Sequence, residues 1–460
     1  MTGRFHLVTL GCPKNAVDSD KIAAALGADG LTATGDVHDA DVVVVNTCAF
    51  IEAARQESVD TVLALADLTR DGARLVVTGC MAERYGAELA AALPEVDAVV
   101  GFAGAGSIAG TVEATTEVVF GGRRARVAPV GVRDLLELPR SQPSAPWAYL
   151  KVAEGCDRAC AFCAIPSFRG AQRSRPPDAI VDEARSLVRG GVRELVLVAQ
   201  DLAWYGRDAG EPGALAPLLR RLDHELAGEG LARVRLLYLY PSEVRDPLVA
   251  TMLELDTVVP YFDLSLQHAA RGLLARMARW GSGDRFLAAI ERIRAEAPDA
   301  AFRSSFIVGF PGETESDHDE LLAFLDAARL DWAGVFAFSP EEGTAAAVLD
   351  ARVPDALTAE RIRECEERQT AHTQAARDAL CAARAPLSVL VDVVTDGRAV
   401  GRTHREAPEI DGLVFVDGAP GEVVPAPGTI VEAVAVEALG PDLFARAHPA
   451  LAGVPVRGAP

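Results

Sequence analysis

A polar loop bounded by glycines holds three cysteines within eight residues: Cys156, Cys160 and Cys163. Their C-x3-C-x2-C spacing lets one short loop supply three thiolates to a single inorganic centre. A [4Fe-4S] cluster usually takes four thiolates, and no fourth cysteine lies nearby in the sequence. A cluster bound here would keep one coordination position for a substrate, as catalytic metal sites do. A zinc site completed by a distant histidine and three unligated thiols are the alternatives.

A second set of cysteines follows three apolar runs that are predicted to be strands. Cys12 follows FHLVTL, Cys48 follows DVVVVN and Cys80 follows RLVVTG. The carboxyl ends of parallel strands lie along one edge of a sheet, so these three thiols are expected to converge. A single cysteine after a strand is more often a small buried hydrophobe. Three cysteines at equivalent positions favour a second binding site.

The elements that must position these cysteines fall into three segments. Residues 1–122 alternate strand-like runs with helical stretches, which predicts an N-terminal parallel α/β domain. Residues 123–146 contain prolines and no long periodic element, and they are predicted to be a linker.

Residues 147–375 carry six apolar runs, most of them separated by helical stretches. The runs are AYLKVA, ELVLVAQ, VRLLYLY, YFDLSLQ, FRSSFIVGF and WAGVFAFS. Six strand–helix units predict a partial (β/α)6 barrel, whose active site lies at the carboxyl ends of its strands. The loop that holds Cys156 directly follows the first of these strands.

Residues 376–447 are predicted to form a helical connector and a small antiparallel β-barrel, because short apolar runs alternate with glycine- and proline-rich turns. Residues 448–460 are predicted to be a tail. Cys365 and Cys381 belong to the arginine- and glutamate-rich helical region before the β-barrel, and we interpret them as structural.

Length and composition indicate a folded chain of two or three domains, since it has 460 residues of which 50% are hydrophobic. The sequence has no run of about 18 apolar residues and no signal-peptide pattern, which predicts a cytoplasmic protein. Thiols stay reduced in that compartment. The eight cysteines are therefore expected to be ligands, catalytic groups or buried hydrophobes rather than disulfides.

The net charge of −21 bears on the kind of partner. A protein that bound nucleic acid mainly through phosphates would carry a basic face. An acidic surface instead favours a basic macromolecule, such as a ribosomal protein, through long-range attraction. Only three lysines are present, Lys14, Lys21 and Lys151, and we interpret their scarcity as coding bias.

The cysteine loop after the first strand of a partial barrel resembles the radical S-adenosylmethionine (SAM) superfamily. The resemblance implies that Cys156, Cys160 and Cys163 hold a [4Fe-4S] cluster whose open iron is chelated by SAM. Reduction of that cluster cleaves SAM into methionine and a 5′-deoxyadenosyl radical. The same resemblance places four further residues on the SAM side of the barrel: Gln200, Gln267, Gly309 and Glu313. The segment that contains the last two, GFPGETE, is also compatible with a tight turn that caps a helix.

The whole chain further resembles the methylthiotransferases, whose N-terminal domain binds a second [4Fe-4S] cluster through cysteines placed like Cys12, Cys48 and Cys80. The resemblance implies an enzyme that uses SAM to install a methylthio group on an unactivated carbon. It also implies an electron donor such as flavodoxin or ferredoxin, and no membrane partner. A non-catalytic iron–sulfur redox protein is the rival hypothesis, but its clusters would normally be fully ligated.

Within this family, one branch modifies an aspartate of a small-subunit ribosomal protein and another modifies adenosine in tRNA. The segments that resemble the protein-modifying branch are GCPKNAVDSD, NTCAFI, KVAEGCDRACAFCAIPSFRG and GVFAFSPEEGTAA. The PEEGT within the last segment marks the family without a role that the residues reveal. A tRNA enzyme remains the alternative, although the acidity of the chain makes tRNA an unlikely partner.

The C-terminal β-barrel resembles the TRAM type, which commonly binds RNA. Residues 384–447 contain ten acidic residues, five arginines and no lysine. This balance favours docking of a basic protein substrate over binding of RNA.

Overall fold

The computed structural model describes residues 3–102, 116–120, 123–127, 134–418 and 424–447, and the predicted tail lies outside these ranges. Within these ranges, no helix combines the length and the apolar character that a membrane crossing requires.

A seven-stranded sheet forms the N-terminal domain, and the three predicted strands are at its centre. Its strands in chain order are β1 (Gly3–Thr9), β2 (Leu31–Ala33), β3 (Val42–Thr47), β4 (Arg74–Gly79), β5 (Ala98–Val100), β6 (Thr116–Phe120) and β7 (Arg123–Val127). Across the sheet the order is β2-β1-β3-β4-β5-β7-β6, and every pairing is parallel except that of β6 with β7.

Helices cover both faces of this sheet. They are α1 (Pro13–Ala28), α2 (Glu52–Leu68) and α3 (Cys80–Ala92). Val44 of β3 packs with Ile22 of α1 on one face, and Val45 packs with Val62 of α2 on the other. Burial on both faces explains why β3 is a continuous apolar run rather than an alternating one.

The predicted linker begins later than residue 123. Residues Arg123–Val127 form β7, which pairs with both β5 and β6. The sequence RRARV has no apolar run, so a strand at the end of the sheet is not visible from periodicity alone.

The second domain is an open barrel of six parallel strands, and each predicted run contains one of them. A short antiparallel hairpin, β9 (Ala153–Glu154) with β10 (Arg173–Ser174), flanks the cysteine loop. The barrel strands are β8 (Trp147–Lys151), β11 (Glu194–Val198), β12 (Arg233–Leu236), β13 (Tyr261–Gln267), β14 (Ala301–Val308) and β15 (Trp332–Ala337). Two three-stranded sheets, β12-β11-β8 and β13-β14-β15, are joined by parallel bridges that include Leu239 with Leu264.

Amphipathic helices cover the outside of the barrel. In the helix Pro177–Arg189, buried positions such as Ile180, Ala184 and Leu187 recur every three or four residues, which places one apolar face on the strands. In chain order, the helices of this domain are α4 (Ile165–Arg169), α5 (Pro177–Arg189), α6 (Leu215–Leu226), α7 (Asp246–Glu254), α8 (Arg271–Arg276), α9 (Gly283–Glu296) and α10 (Glu315–Ala328). The short α4 is the exception, because it packs against the N-terminal domain.

The interior of the barrel is closed by its two neighbouring domains. Inner-face residues such as Tyr149 and Val196 form one buried cluster with Val17 of α1 and with Ala407, which belongs to the C-terminal domain. The hydroxyl of Tyr149 also donates to the carbonyl of Pro408 at 3.2 Å. The N-terminal and C-terminal domains therefore both contact the barrel that lies between them.

The C-terminal domain is a closed barrel of five strands. These strands are β16 (Pro386–Thr395), β17 (Arg398–Arg402), β18 (Val414–Asp417), β19 (Ile430–Leu439) and β20 (Asp442–Ala447). Their order around the barrel is β16-β17-β18-β20-β19. The pairings are antiparallel except for β18 with β20, which is parallel.

One long helix, α11 (Asp355–Ala382), connects the two barrels, and the predicted boundary after residue 375 falls inside it. The helix runs through because it packs on both β15 and β19. Cys365 is buried in the main core, and Cys381 packs against the core of the C-terminal barrel, as expected for structural cysteines.

Candidate active site between two cysteine triads

The first cysteine triad lies at the carboxyl edge of the N-terminal sheet. Cys12 immediately precedes α1, Cys48 directly follows β3, and Cys80 is the first residue of α3. The strands that lead to them, β1, β3 and β4, are neighbours in the sheet. The three cysteines therefore lie at one edge of the sheet, as predicted.

The backbone at Gly11 packs closely against the side chain of Cys48, and this brings the neighbouring Cys12 close to Cys48. Gly11 has a φ of 91°, and a Cβ added to it would lie 2.7 Å from the Cβ and 2.9 Å from the Sγ of Cys48. Only glycine combines this backbone conformation with this approach at low cost.

Two asparagines, which the sequence analysis did not single out, fix the geometry of the triad. Asn15 donates from Nδ2 to the carbonyl oxygens of Leu10 at 2.9 Å and Thr47 at 3.0 Å. Asn46 in turn donates from Nδ2 to the carbonyl of Asn15 at 2.9 Å. These bonds tie the end of β1 to the end of β3, the strand ends that carry Cys12 and Cys48.

The three thiols of the first triad differ in their electrostatic surroundings. Burial acts to raise the pKa of Cys12, but Lys14, Arg169 and nearby backbone N–H groups together lower it below its ordinary value. Burial raises the pKa of Cys48 to about 12, and burial also raises the pKa of Cys80. Cys12 is therefore the member of the triad that most readily becomes a thiolate.

The second triad occupies the loop after β8, at the carboxyl end of the barrel. The N–H of Cys156 donates to Gly170 O at 3.1 Å, and the N–H of Ala161 donates to Met277 O at 2.9 Å. Gly155, with a φ of 81°, leaves no room for a Cβ against the carbonyl of Ala171. These contacts hold the loop in a compact turn whose three thiols are partly exposed.

Hydrogen-bond donors approach the sulfur atoms of the second triad. The backbone N–H of Arg158 lies 3.4 Å from the Sγ of Cys156, and Nη1 of Arg279 lies 3.5 Å from the Sγ of Cys160. Burial raises the pKa of Cys156 to about 11 and that of Cys163 to about 12. N–H donors to sulfur are the surroundings that iron–sulfur clusters use to adjust their potential, so the donor set fits such a cluster.

A short chain of polar contacts links the two triads. Arg169, at the end of α4, donates from Nη2 to the Sγ of Cys80 at 3.1 Å and to Asn15 Oδ1 at 2.6 Å. Its Nη1 donates to both carboxylate oxygens of Glu154, at 2.8 and 2.9 Å. Glu154 lies two residues before Cys156, so one guanidinium connects the surroundings of both triads.

A second ion pair supports this connection. Lys151, the last residue of β8, pairs with Asp18 of α1 and, at 2.7 Å, with Glu154. Neither Arg169, Glu154 nor Lys151 was predicted as a site residue. In the sequence, Glu154 (in EGC) and Arg169 (in FRG) flank the cysteine motif. This proximity is the only sequence signal that points to them.

The four residues assigned to the SAM side lie at strand ends, but in different surroundings. Gln200 follows β11 and donates to Glu154, while its Oε1 is buried without a hydrogen-bond partner. Gln267 ends β13 with a φ of 73°. Gly309 follows β14, and its N–H donates to the buried carboxylate of Glu313. Glu313 also lies 3.3 Å from Arg361 of α11, so its carboxylate closes a turn and faces the connecting helix.

The PEEGT segment joins the barrel to the N-terminal domain. Glu341 is buried and pairs with Arg55 and, at 2.7 Å, with Arg84. Ser339 donates to Glu341 at 2.6 Å and accepts the N–H of Glu52, the first residue of α2. This family marker thus has a structural role that the sequence alone did not reveal.

In the part of the chain that the structure describes, no three His, Cys, Asp or Glu side chains are close enough to share one metal ion. A four-iron cluster instead takes each thiolate on a different iron.

Family models match each of the three segments. Residues 4–101 match the uncharacterized protein family UPF0004, residues 150–325 match the radical SAM superfamily, and residues 386–447 match the TRAM domain. The predicted radical SAM barrel and TRAM-type barrel are confirmed.

Curated relatives match over nearly the whole chain. The ribosomal protein uS12 methylthiotransferase RimO of Salinispora tropica is 44% identical, over 96% of this chain and 95% of its own length. The protein of the same name from Moorella thermoacetica is 44% identical, over 91% of this chain and 94% of its own length.

Among solved structures, the radical S-adenosylmethionine methyltransferase TsrM from Kitasatospora setae is similar in fold. It has a TM-score of 0.55 and 15% identity, and the match covers 76% of this chain and 77% of that chain. At this identity the similarity concerns the fold alone.

Proposed function

The chain belongs to the RimO family of ribosomal protein uS12 methylthiotransferases, and we propose that it adds a methylthio group to the β-carbon of an aspartate in uS12. The observation that carries the proposal is the pair of cysteine triads at facing strand ends, connected through Arg169 and Glu154. A radical enzyme with only one such centre would have no obvious source of sulfur.

Two [4Fe-4S] clusters and SAM are the cofactors that this function requires. We assign one cluster to Cys156, Cys160 and Cys163, and the other to Cys12, Cys48 and Cys80. When bound, the first cluster would supply the electron for cleavage of SAM, and the second would supply the sulfur for the methylthio group. Gln200, Gln267, Gly309 and Glu313 remain the predicted residues of the SAM side.

The residues of the chain hold and orient the reactants rather than move protons. The β-carbon of an aspartate carries no acidic proton, so general acid–base groups cannot break its C–H bond at neutral pH. Arg169 instead fixes the two cysteine loops relative to each other, because it donates to Asn15 on one side and to Glu154 on the other. Fixed geometry of this kind is what transfer between two centres needs.

The neighbours of Glu154 keep its carboxylate ionised. Burial acts to raise the pKa of Glu154, but Arg169 and Lys151 outweigh it and hold that pKa well below its ordinary value. The ion pairs of Glu154 with Arg169 and Lys151 therefore persist at neutral pH, and the connection between the loops persists with them.

Charge favours a protein partner over a nucleic acid. With a net charge of −21, the chain attracts a basic ribosomal protein and repels the phosphates of tRNA. We place the reaction in the cytoplasm, where ribosomal proteins are assembled, and we expect a small electron carrier such as flavodoxin or ferredoxin to supply the electrons.

The function is tested by incubating the cluster-loaded protein anaerobically with uS12, SAM and a reductant, followed by mass analysis of uS12. We expect one methylthio group on one aspartate. Unmodified uS12 in a sample that has formed 5′-deoxyadenosine would contradict the proposal.

The close approach at Gly11 gives a local prediction. Replacing Gly11 with alanine is expected to remove about half of the iron, because the new Cβ would displace Cys48 and disturb one of the two four-iron clusters. Iron content and the amount of 5′-deoxyadenosine formed are the measurements, and the second should change little.

Gly72→Ala is the matched control for this variant. Gly72 also has a positive φ, 84°, but an added Cβ there meets nothing within 4 Å. It should cost about 1–2 kcal/mol of stability through backbone strain and leave the iron content unchanged. Equal iron content in the two variants would show that the approach of Gly11 to Cys48 does not matter for the cluster.

A further inference from the structure

The three lysines of the chain are all buried, and they differ in their partners. Lys151 pairs with Asp18 and Glu154, and Lys21 donates to the carbonyl of Leu136 at 2.8 Å with Glu183 at 3.9 Å. Lys14 is only 7% exposed, yet within the described residues it has neither a hydrogen-bond acceptor nor a carboxylate partner.

In the described part of the chain, the ammonium of Lys14 lies over an aromatic ring. Its Nζ lies 3.4 Å from the ring centroid of Tyr238, an arrangement in which the ring face stabilises the cation. A buried ammonium without an anion is costly, because the ring replaces only part of the lost hydration. Within the described part of the chain, Lys14 is therefore a buried cation without a carboxylate partner.

Nearby carboxylates are already engaged by other cations. Asp18 and Glu154 are shared between Lys151 and Arg169. Asp263, which accepts the N–H of Tyr238, lies 3.3 Å from Arg303. These carboxylates are thus not free to pair with Lys14, and the nearby Cys12 is assigned to the cluster of the first triad. Among the described residues no carboxylate is left for Lys14, so one would have to come from outside the chain.

Lys14 lies near the elements that carry both cysteine triads. Lys14 lies in the first turn of α1, two residues after Cys12. Tyr238 follows β12 at the carboxyl end of the barrel, the same end at which β8 leads into the second triad. The ammonium of Lys14 is therefore placed where the N-terminal domain meets the active end of the barrel.

We propose that Lys14 binds the side-chain carboxylate of the substrate aspartate and so holds its β-carbon between the two cysteine triads. The inference rests on the proposed function. The β-carbon is bonded directly to the carboxylate carbon, so an ion pair at the carboxylate leaves little freedom at the atom that reacts. A compact ammonium with three donors suits this task, and the ring of Tyr238 limits where it can lie.

A different role for Lys14 would be to offset the negative charge of a thiolate-ligated centre at the first triad. Arg169 already donates to the Sγ of Cys80 and occupies part of that role. The two roles predict different behaviour: charge compensation affects all substrates equally, whereas carboxylate binding distinguishes aspartate from the neutral asparagine.

The test compares binding affinities of four pairs. Cluster-loaded wild type and Lys14→Met are each titrated anaerobically with uS12 and with uS12 whose acceptor aspartate is replaced by asparagine. We expect the wild type to prefer the aspartate form by about tenfold or more, as a buried charge-assisted contact provides. For Lys14→Met the two forms should bind within about twofold of each other.

Two further variants keep the test decisive. Lys14→Arg retains the positive charge and is expected to retain most of the preference for aspartate. Lys14→Gln is polar but neutral, and it should lose the preference as Lys14→Met does. Iron content of each variant confirms that the first triad still holds its cluster.

The outcomes separate this inference from the proposed function. If wild type modifies uS12 but Lys14→Met and Lys14→Gln keep the full preference for aspartate, Lys14 does not bind the carboxylate and the proposed function stands. If the wild type modifies uS12 without preferring aspartate over asparagine in binding, the inference is likewise overturned. If the wild type neither binds nor modifies uS12, both fail together.

Discussion

Replacement of Cys156, Cys160 and Cys163 with alanine is expected to abolish SAM cleavage and to remove about half of the bound iron. Two four-iron clusters hold about eight irons per chain, and this variant retains the ligands of only one. The loop itself should keep its shape, because it is held by backbone bonds such as Cys156 N–H to Gly170 O, which alanine preserves. The measurements are iron per chain and 5′-deoxyadenosine formed under strong reductant.

Cys381→Ala provides the control for this variant. Cys381 is a cysteine outside both triads, packed at the C-terminal barrel. It should leave both iron content and SAM cleavage unchanged. Full SAM cleavage by the triple variant would refute the assignment of the radical-generating cluster to this loop.

Replacement of Cys12, Cys48 and Cys80 with alanine is expected to leave SAM cleavage in place and to stop methylthio transfer completely. The barrel and its cysteine loop are untouched, so 5′-deoxyadenosine should still form. Sulfur transfer needs the second centre, whose three ligands are gone. Alanine is compatible with these positions, since Cys80 begins a helix and Cys48 is buried.

The readout for the second variant is a ratio within one sample: methylthiolated uS12 against 5′-deoxyadenosine. We expect the amount of methylthiolated uS12 to fall to zero, while the amount of 5′-deoxyadenosine stays near that of the wild type. Methylthiolated product at the normal rate would show that the N-terminal domain is not the source of the sulfur. Loss of both products would instead indicate that the first triad is needed for SAM cleavage.

The sequence predicted those parts of the fold that carry a periodic signal. The three strands before Cys12, Cys48 and Cys80 and the six barrel strands are mainly apolar, because parallel strands are covered on both faces. Their order along the chain then places each triad at strand carboxyl ends. The sequence thus predicted where both triads lie in the fold, and their binding of clusters stays a prediction.

Residues that act through distant partners were not predictable in this way. Glu341 pairs with Arg55, which lies 286 positions away in the chain, and Arg169 reaches Cys80 across 89 positions. A single charged residue carries no periodicity, so its partner is known only once the domains are packed. For the same reason Lys14 was counted among rare lysines rather than recognised as an unpaired buried cation.

Secondary-structure boundaries failed where local sequence and tertiary packing disagree. The segment RRARV joins the first sheet as β7, although the lack of a periodic element there predicted a linker. The connecting helix α11 runs through a predicted domain boundary because both barrels pack against it. In both cases, contacts with neighbouring elements decide the structure and local periodicity does not.

The central claim is that this chain methylthiolates a protein by means of two centres, and one competition assay tests it most directly. Cluster-loaded protein is incubated anaerobically with SAM and a reductant in the presence of both uS12 and a tRNA anticodon stem-loop, and both are analysed by mass. The account predicts a methylthio group on the aspartate of uS12 and none on the RNA, with the rate falling as salt screens the attraction between acidic enzyme and basic substrate. A methylthio group on the RNA adenosine with uS12 unmodified would contradict it.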